Sequence, residues 1–194
     1  QRGVEIRTAD DLTEVKQFFP LRYAYCVHTA DLDGDGRPEL IASKYQEAET
    51  FNTQSAIYWN GPDGYSTERC TRVPTMGAEG VTAGDLDGDG KPVVVFCNTM
   101  TGHAKTSPTL PSYIYFGGPE ADYGVHRRQE LPVGGECSAC AVIDLDLDGW
   151  NDLVFGSMEG LRIFQGGSDG FHPDRYEELP CFMPGVQVAD FNGD

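Results

Sequence analysis

The chain contains four acidic turns of nearly the same sequence, and their side chains are the residues best suited to chemistry. Three turns carry aspartates at alternate positions followed by glycine, and the fourth reads Asp-Phe-Asn-Gly-Asp. They comprise residues 31–36, 85–90, 144–149 and 190–194. Carboxylates spaced in this way converge, and two like charges about 4 Å apart repel by about 1 kcal/mol in water and by about 4 kcal/mol at a partly buried site. Each turn therefore predicts a bound cation, and an all-oxygen ligand set favours Ca2+ over Mg2+.

The sixth residue of the first three turns is glycine, which predicts a positive φ that lets the backbone curl around an ion. An EF-hand loop begins in the same way but ends with glutamate at position twelve and lies between two helices. The corresponding residues here are Ala42, Phe96 and Phe155. The turns are therefore not EF-hands. Solvated Asp-Gly turns without a metal are the simpler alternative.

The turns belong to a longer repeat. Their first aspartates stand at positions 31, 85, 144 and 190, which gives steps of 54, 59 and 46 residues. A proline precedes each turn by 10 to 12 residues, at Pro20, Pro74, Pro132 and Pro180. Similar segments, 57–61, 114–118 and 163–167, are each followed by an aromatic residue, Tyr65, Tyr123 or Phe171. A period of this length is typical of propellers and solenoids.

Short apolar segments surround the turns and predict the elements that position them. Segments such as 93–96, 114–116 and 153–155 are rich in β-branched and aromatic residues and are bounded by Gly, Pro or Asp. They predict an all-β fold with three or four strands in each unit. Only residues 11–19 have a pattern that would suit a short helix.

Composition narrows the classes of function. The formal net charge of −17 repels nucleic acid, so we expect no nucleic-acid partner. No apolar run approaches the roughly 18 residues of a membrane span, so we expect no membrane insertion. The chain does not begin with Met and stops inside the fourth turn. We therefore expect it to be a piece of a longer protein.

The six cysteines could form disulfides in an oxidising compartment, and they allow fifteen pairings among which the sequence does not choose. They are Cys26, Cys70, Cys97, Cys137, Cys140 and Cys181. Cys137 and Cys140 have CxxC spacing, but residues three apart on a strand point to opposite faces. We therefore expect small buried side chains or one ordinary disulfide, and neither zinc binding nor redox chemistry.

An apolar strand, the pattern D-x-D-x-D-G-x-x-[DE] and a second apolar strand together resemble the FG-GAP/VCBS repeat, the calcium-loop blade of integrin α-subunit heads and of many bacterial secreted proteins. The resemblance extends from about Pro20 to the end of the chain. It implies that residues 1–194 are part of a β-propeller, usually of seven blades, with a calcium loop in each blade. The fragment would hold about three blades and the start of a fourth, with loops at 31–39, 85–93, 144–152 and 190–194.

The resemblance also implies the calcium ligands. In the first loop they are the side chains of Asp31, Asp33, Asp35 and Glu39 and the carbonyl of Arg37. In the second loop they are Asp85, Asp87 and Asp89 and the carbonyl of Lys91, and binding should be weaker because the ninth residue is Val93. In the third loop they are Asp144, Asp146, Asp148 and Asp152 and the carbonyl of Trp150. The fourth loop supplies Asp190, Asn192 and Asp194.

The sequence gives little indication of catalysis. The four histidines, His28, His103, His126 and His172, are scattered, and neither a P-loop nor an HExxH motif occurs. Long segments at 44–55 and 98–112 should emerge on one face, whereas the third unit has only 157–160. They carry the aromatic and polar residues of a contact surface, Tyr45, Gln46, Glu47, Asn52, His103 and Lys105.

These features favour a calcium-stabilised, non-catalytic module that is secreted or displayed at the cell surface, extracellular or periplasmic, and binds a protein or glycan, as in cell adhesion or carbohydrate binding. Extracellular calcium modules have a Kd of about 0.1 to 1 mM, which suits that location. The alternative is an enzyme, a propeller-fold polysaccharide lyase acting on acidic glycans, because some lyases resemble this architecture. His103 and Tyr45 are its first catalytic candidates.

Overall fold

A computed structural model describes residues 3–7, 9, 13–118, 122–181 and 185–188 of the protein. These residues form fourteen β-strands and one 3-10 helix, Val125–Arg127, with no α-helix among them. No helix in this part of the chain is long and apolar enough to cross a membrane. The strands are β1 (Val4–Arg7), β2 (Val15–Phe19), β3 (Ala24–Ala30), β4 (Glu39–Lys44), β5 (Asn52–Gly61), β6 (Gly64–Met76), β7 (Ala78–Gly84), β8 (Val93–Asn98), β9 (Pro111–Tyr115), β10 (Arg128–Pro132), β11 (Cys137–Ile143), β12 (Asp152–Ser157), β13 (Leu161–Phe164) and β14 (Tyr176–Leu179). The predicted all-β fold is confirmed.

Each predicted repeat unit is one four-stranded antiparallel sheet. The first sheet contains β3 to β6, the second β7 to β10 and the third β11 to β14, and in each sheet the strands lie side by side in chain order. β1 and β2 form a separate two-stranded sheet. Four-stranded sheets of about fifty residues that repeat along the chain are the blades of a propeller.

The three sheets are stacked, and their first strands, β3, β7 and β11, pack against one another in order. The alternating side chains of β8 explain why the sheets stack. Val94 and Phe96 belong to the core between the first and second sheets, whereas Val93, Val95 and Cys97 belong to the core between the second and third. Since side chains alternate along a strand, this continuous apolar run fills both interfaces at once. Each such side chain contributes roughly 1.5 to 3 kcal/mol when it is fully buried.

The β1–β2 sheet covers the opposite face of the first sheet. Phe19 is completely buried there, and its ring centroid lies 4.6 Å from that of Tyr58. The Gln17 amide donates a hydrogen bond to the Tyr65 carbonyl at 2.9 Å. The expectation of a short helix at 11–19 is therefore wrong for 15–19, because pairing with β1 and burial of Phe19 outweigh a weak helical pattern. Residues 11 and 12 lie outside the described part of the chain.

The first strand of each sheet contains a bulge near its start, between Ala24 and Val27, Ala78 and Gly80, and Cys137 and Ala139. In β11 the bulge changes which face the cysteines occupy. Cys137 pairs with Ser157 and Cys140 pairs with Phe155. Because Ser157 and Phe155 are two residues apart on β12, both cysteines lie on the same face of the sheet. The prediction that they point to opposite faces is wrong.

Candidate metal centres

The three described acidic loops occupy the same place in each sheet, between its first and second strands. They also lie next to one another. A cleft of about 690 Å³ separates the first loop from the second and is lined by residues of both. The Asn151 side chain at the end of the third loop donates a hydrogen bond to the Asp85 carbonyl of the second at 2.7 Å. The stack therefore gathers the acidic loops at one end.

Backbone hydrogen bonds to the first aspartate curl each loop. The N–H of the sixth residue donates to this carboxylate in all three loops, at 2.8 Å for Gly36 to Asp31 and at 2.9 Å in the other two. The glycines at this position, Gly36, Gly90 and Gly149, have φ of 83°, 80° and 93°. The predicted positive φ at position six is confirmed, and it aims the backbone N–H inward.

Position four also has a positive φ, and here the third loop differs from the others. Gly34 and Gly88 occupy this position in the first two loops with φ of 77° and 72°, whereas the third loop has Leu147 at φ 62°. A left-handed conformation costs a residue with a Cβ roughly 1 to 2 kcal/mol. Leu147 is 74% exposed, so its packing recovers little of this cost.

We expect Leu147→Gly to raise the free energy of unfolding by roughly 0.5 to 1 kcal/mol, because relief of the left-handed strain exceeds the entropy that glycine adds to the unfolded chain. Urea unfolding with calcium present measures the change. The reciprocal variant Gly34→Leu has open space for its side chain and should lose about 1 to 2 kcal/mol. Equal stability of both variants and the native chain would show that position four carries no strain.

The carboxylates of each loop converge. One oxygen from each member of the three acidic groups lies within 4.8 Å of the others, and no further group of three His, Cys, Asp or Glu ligands as close as this was found among the described residues. The groups are Asp31, Asp33 and Glu39; Asp85, Asp87 and Asp89; and Asp144, Asp146 and Asp148. In the first loop Asp35 is instead paired with the Arg37 guanidinium at 2.6 Å. The third group does not include Asp152.

The electrostatics of these groups favour a cation. Burial raises the pKa of Asp87, and the negative charges of Asp89 and Asp85 raise it further. Burial likewise raises the pKa of Glu39, with a smaller contribution from the charges of Asp33 and Asp35. Cations nearby are few and lie on the rim, where Lys91 approaches Asp89 at 3.4 Å and is more than half exposed. A divalent ion would stabilise the charged form of every member.

These pKa shifts predict how pH affects the calcium-free protein. A carboxyl whose pKa is raised in the folded state binds its proton more tightly there, so its contribution to stability is present below the ordinary values of 3.8 for Asp and 4.5 for Glu. It is lost as pH rises through the raised folded pKa. We expect the calcium-free protein to lose stability relative to Asp87→Asn as the pH rises above the ordinary Asp value of 3.8, measured by urea unfolding in calcium-depleted buffer. An unchanged difference between the two proteins would contradict this.

The ninth residue of the loop has a structural task that the sequence did not reveal. Glu39 is completely buried, and its carboxylate accepts hydrogen bonds from the backbone N–H of Leu32 at 2.7 Å and of Asn60 at 3.2 Å. In the third loop Asp152 accepts equivalent bonds from Leu145 at 2.9 Å and Gly166 at 2.8 Å. This carboxylate therefore joins the start of the loop to the end of the third strand of the sheet. Val93 in the second loop packs into the core instead.

The repeated aromatic residues reach the same loops. The Tyr65 hydroxyl donates to the Pro38 carbonyl at 2.7 Å, and the Tyr123 hydroxyl donates to the Pro92 carbonyl at 2.8 Å. These carbonyls are at the eighth position of their loops. Phe171 has no hydroxyl and packs against Phe164. The sequence shows the register of these aromatics but not their hydrogen bonds, although the replacement of Tyr by Phe in the third unit was visible in it.

The structure says less about the remaining predicted ligands, which are three backbone carbonyls and the fourth loop. The backbone N–H groups of Arg37, Lys91 and Trp150 donate to the carboxylate at position five. That their carbonyls bind metal stays a prediction. The fourth loop, with Asp190, Asn192 and Asp194, lies outside the described residues.

The two long connections lie together, as expected. They consist of residues 45–51 and 99–110 and are shorter than the predicted 44–55 and 98–112, because the ends of those ranges belong to strands. The Phe51 N–H donates to the Gly102 carbonyl at 2.7 Å, and His103 Nδ1 lies 3.0 Å from the Glu49 carbonyl. The Tyr45 hydroxyl donates to the Met100 sulfur at 3.3 Å. Since Tyr45 and His103 engage different partners, these contacts give the lyase alternative no support.

Comparison with known proteins agrees with the repeat analysis. The model of the FG-GAP-like repeat family matches residues 31–96, which include both the first and the second acidic loop. No significantly similar protein was found among curated proteins. FG-GAP repeats often bind calcium and are typically extracellular. Residues 31–96 are therefore similar to an FG-GAP-like repeat, as the resemblance predicted, and they lie within a stack of antiparallel sheets of the β-propeller type.

Proposed function

We propose that this β-propeller repeat module binds structural Ca2+ in its acidic loops and presents its opposite end to an extracellular protein or glycan. The observation that carries the calcium proposal is the recurrence of one loop geometry. Three loops at equivalent places in three sheets each bring three carboxylate oxygens within 4.8 Å of one another. Repulsion among such groups disfavours the native turn unless a cation is present.

The ligand chemistry selects the ion. Every side chain in the three groups offers carboxylate oxygen, which suits hard cations and not the softer metals that prefer Cys or His. Calcium accepts six to eight oxygen ligands in flexible geometry, whereas magnesium demands a near-ideal octahedron and keeps several waters. In each loop the first aspartate already accepts backbone hydrogen bonds, so its oxygens are not free to complete an ideal octahedron. Calcium tolerates such irregular geometry better than magnesium does.

The contacts between the second and third loops favour a structural role for the ion. A Cβ on Gly88 of the second loop would lie 2.4 Å from the Trp150 ring of the third, so the two loops are in close contact. Asn151 adds its hydrogen bond to Asp85. An ion that fixes one loop also fixes the surface on which the next loop packs. Calcium would therefore stabilise the native stack by mass action.

Calcium titration by calorimetry tests the proposal. We expect tighter binding at the first and third loops and weaker binding at the second, where Val93 supplies no carboxylate. Asp144→Asn should remove one tight site, and Asp63→Asn, at an exposed acid outside the loops, should leave the titration unchanged. A chain that takes up no calcium at millimolar concentration would exclude the proposed role.

The ligand surface is proposed at the other end of the sheets, where 45–51 meets 99–110. Exposed Glu47, His103 and Lys105 stand on these connections, and Tyr45 packs beneath them against Phe51 with ring centroids 5.0 Å apart. Rigid loops that carry aromatic and polar groups are typical contact surfaces. Glycan and protein arrays, probed with the native chain and with a variant carrying His103→Ala and Lys105→Ala, separate the two ligand classes. Equal signals from both proteins would place ligand binding elsewhere.

A further inference from the structure

Three of the six cysteines meet in the core between the second and third sheets. Cys97 lies on β8, and Cys137 and Cys140 lie on β11. Cys97 and Cys137 are completely buried, whereas Cys140 is only half buried. The bulge in β11 creates this arrangement, because it turns both of that strand's cysteines toward the second sheet.

Contacts along β8 place Cys97 between the other two. The Cys140 sulfur lies 3.9 Å from the Val95 carbonyl, and the Thr99 hydroxyl donates to the Cys137 carbonyl at 3.0 Å. Residues 95, 97 and 99 follow one another on the same face of the chain, so Cys97 lies between these two contacts. The Cys97 thiol interacts with the thiols of both neighbours.

Glycine allows the two strands to approach at this point. A Cβ on Gly80 of β7 would lie 3.0 Å from the Cys97 sulfur and 3.1 Å from the Ala139 Cα. The backbone of β11 and the Cys97 side chain therefore both pack against Gly80. This contact is between sheets, so a covalent bond here would join two blades.

The cysteine cluster does not have the geometry of a metal site. The groups of three potential ligands found within 4.8 Å of one another in the described chain are the acidic ones, and the three sulfurs are not among them. Burial, followed by the neighbouring thiols, raises the pKa of Cys97 well above its ordinary value. Burial also raises the pKa of Cys140. Neutral thiols in pairwise contact suit a disulfide and not a thiolate cage.

We propose that Cys97 and Cys140 form a disulfide that links β8 to β11 when the chain meets a small disulfide oxidant. Cys140 reacts first because it is the least buried of the three cysteines. Its thiolate attacks one sulfur of the oxidant, which forms a mixed disulfide and releases one thiolate. The Cys97 sulfur then attacks the Cys140 sulfur and expels the second thiolate. The two protons lost by the cysteines are taken up by the two released thiolates, and the oxidant is reduced to two thiols.

The test begins with the fully reduced native chain incubated with oxidised glutathione. Remaining thiols are blocked by alkylation, and disulfide-linked peptides are identified by mass spectrometry. We expect a Cys97–Cys140 linkage and a melting temperature higher by roughly 5 to 10 °C than that of the reduced protein. The shift should disappear in Cys140→Ala and persist in Cys70→Ala, a half-buried cysteine on β6 outside the cluster.

Peptide mapping of the native chain decides the result even if a core variant folds poorly. A Cys97–Cys137 bond, a Cys137–Cys140 bond or a Cys97 that remains alkylatable after denaturation would each overturn the proposal. Both measurements are made with calcium held constant. A failure here therefore leaves the calcium proposal untouched, and a chain that does not bind calcium can still form the bond.

Discussion

Removing calcium is expected to lower the melting temperature of the protein by roughly 10 °C. A site with a Kd of about 0.2 mM contributes about 1.4 kcal/mol at about 2 mM calcium, so the two tight sites together contribute about 3 kcal/mol and the weaker second site adds less. Each kcal/mol shifts the melting temperature of a chain of this size by about 2 to 4 °C. The physical reason is the repulsion within the three acidic groups, which the unfolded chain relieves by separating its carboxylates.

Thermal unfolding followed by circular dichroism, with calcium or with chelator at matched ionic strength, measures this change. Magnesium at the same concentration is the control for charge screening and should restore only a small part of the stability. The double variant Asp31→Asn with Asp144→Asn should lose most of the calcium effect and keep the contribution of the second loop. Identical melting curves with calcium and with chelator would refute the structural role of the ion.

Glu39→Gln is expected to destabilise the protein by about 2 to 4 kcal/mol. The buried carboxylate accepts hydrogen bonds from the Leu32 and Asn60 N–H groups with its two oxygens. Glutamine keeps one acceptor and places an NH2 group against the other donor, so a buried N–H loses its partner. This loss occurs with or without calcium, because the two hydrogen bonds belong to the protein alone.

Urea unfolding in chelator isolates this structural role from metal binding. Glu68→Gln is a matched control, since Glu68 is exposed on β6 and the same change there should alter stability by less than about 0.5 kcal/mol. Asp152→Asn should behave like Glu39→Gln, because Asp152 makes the equivalent pair of bonds in the third sheet. If Glu39→Gln unfolds at the same urea concentration as the native chain, the carboxylate is not the link between loop and third strand that its contacts indicate.

The repeated acidic turns were enough to predict the strands on either side of them and the all-β fold. Their spacing is local, and residues such as Gly36 and Gly90 have φ values that follow from the turn itself. The place of Glu39 was harder to predict. Its second hydrogen bond goes to Asn60, which is 21 residues away, and no local pattern specifies that contact.

Two features of the structure departed from the expected periodicity. The strand at Val15–Phe19 depends on its partner β1 and on the first sheet, neither of which the pattern of 11–19 contains. The common face of Cys137 and Cys140 depends on the register shift between Cys137 and Ala139 in β11. A strict period of two fails wherever a bulge adds a residue, and the sequence of β11 gives no sign of the bulge.

The hydrogen bond from Asn151 to Asp85 provides a contact through which ion binding at the second and third loops can be coupled. If an ion ordered the third loop, Trp150 and Asn151 would already be in place against the second loop, and the second ion would meet a smaller ordering cost. Linkage requires the converse to the same degree, so each ion would enhance the affinity of the other by an equal factor. The second loop, which lacks a ninth carboxylate, would therefore bind calcium more tightly when the third loop is occupied. The two sites would fill cooperatively.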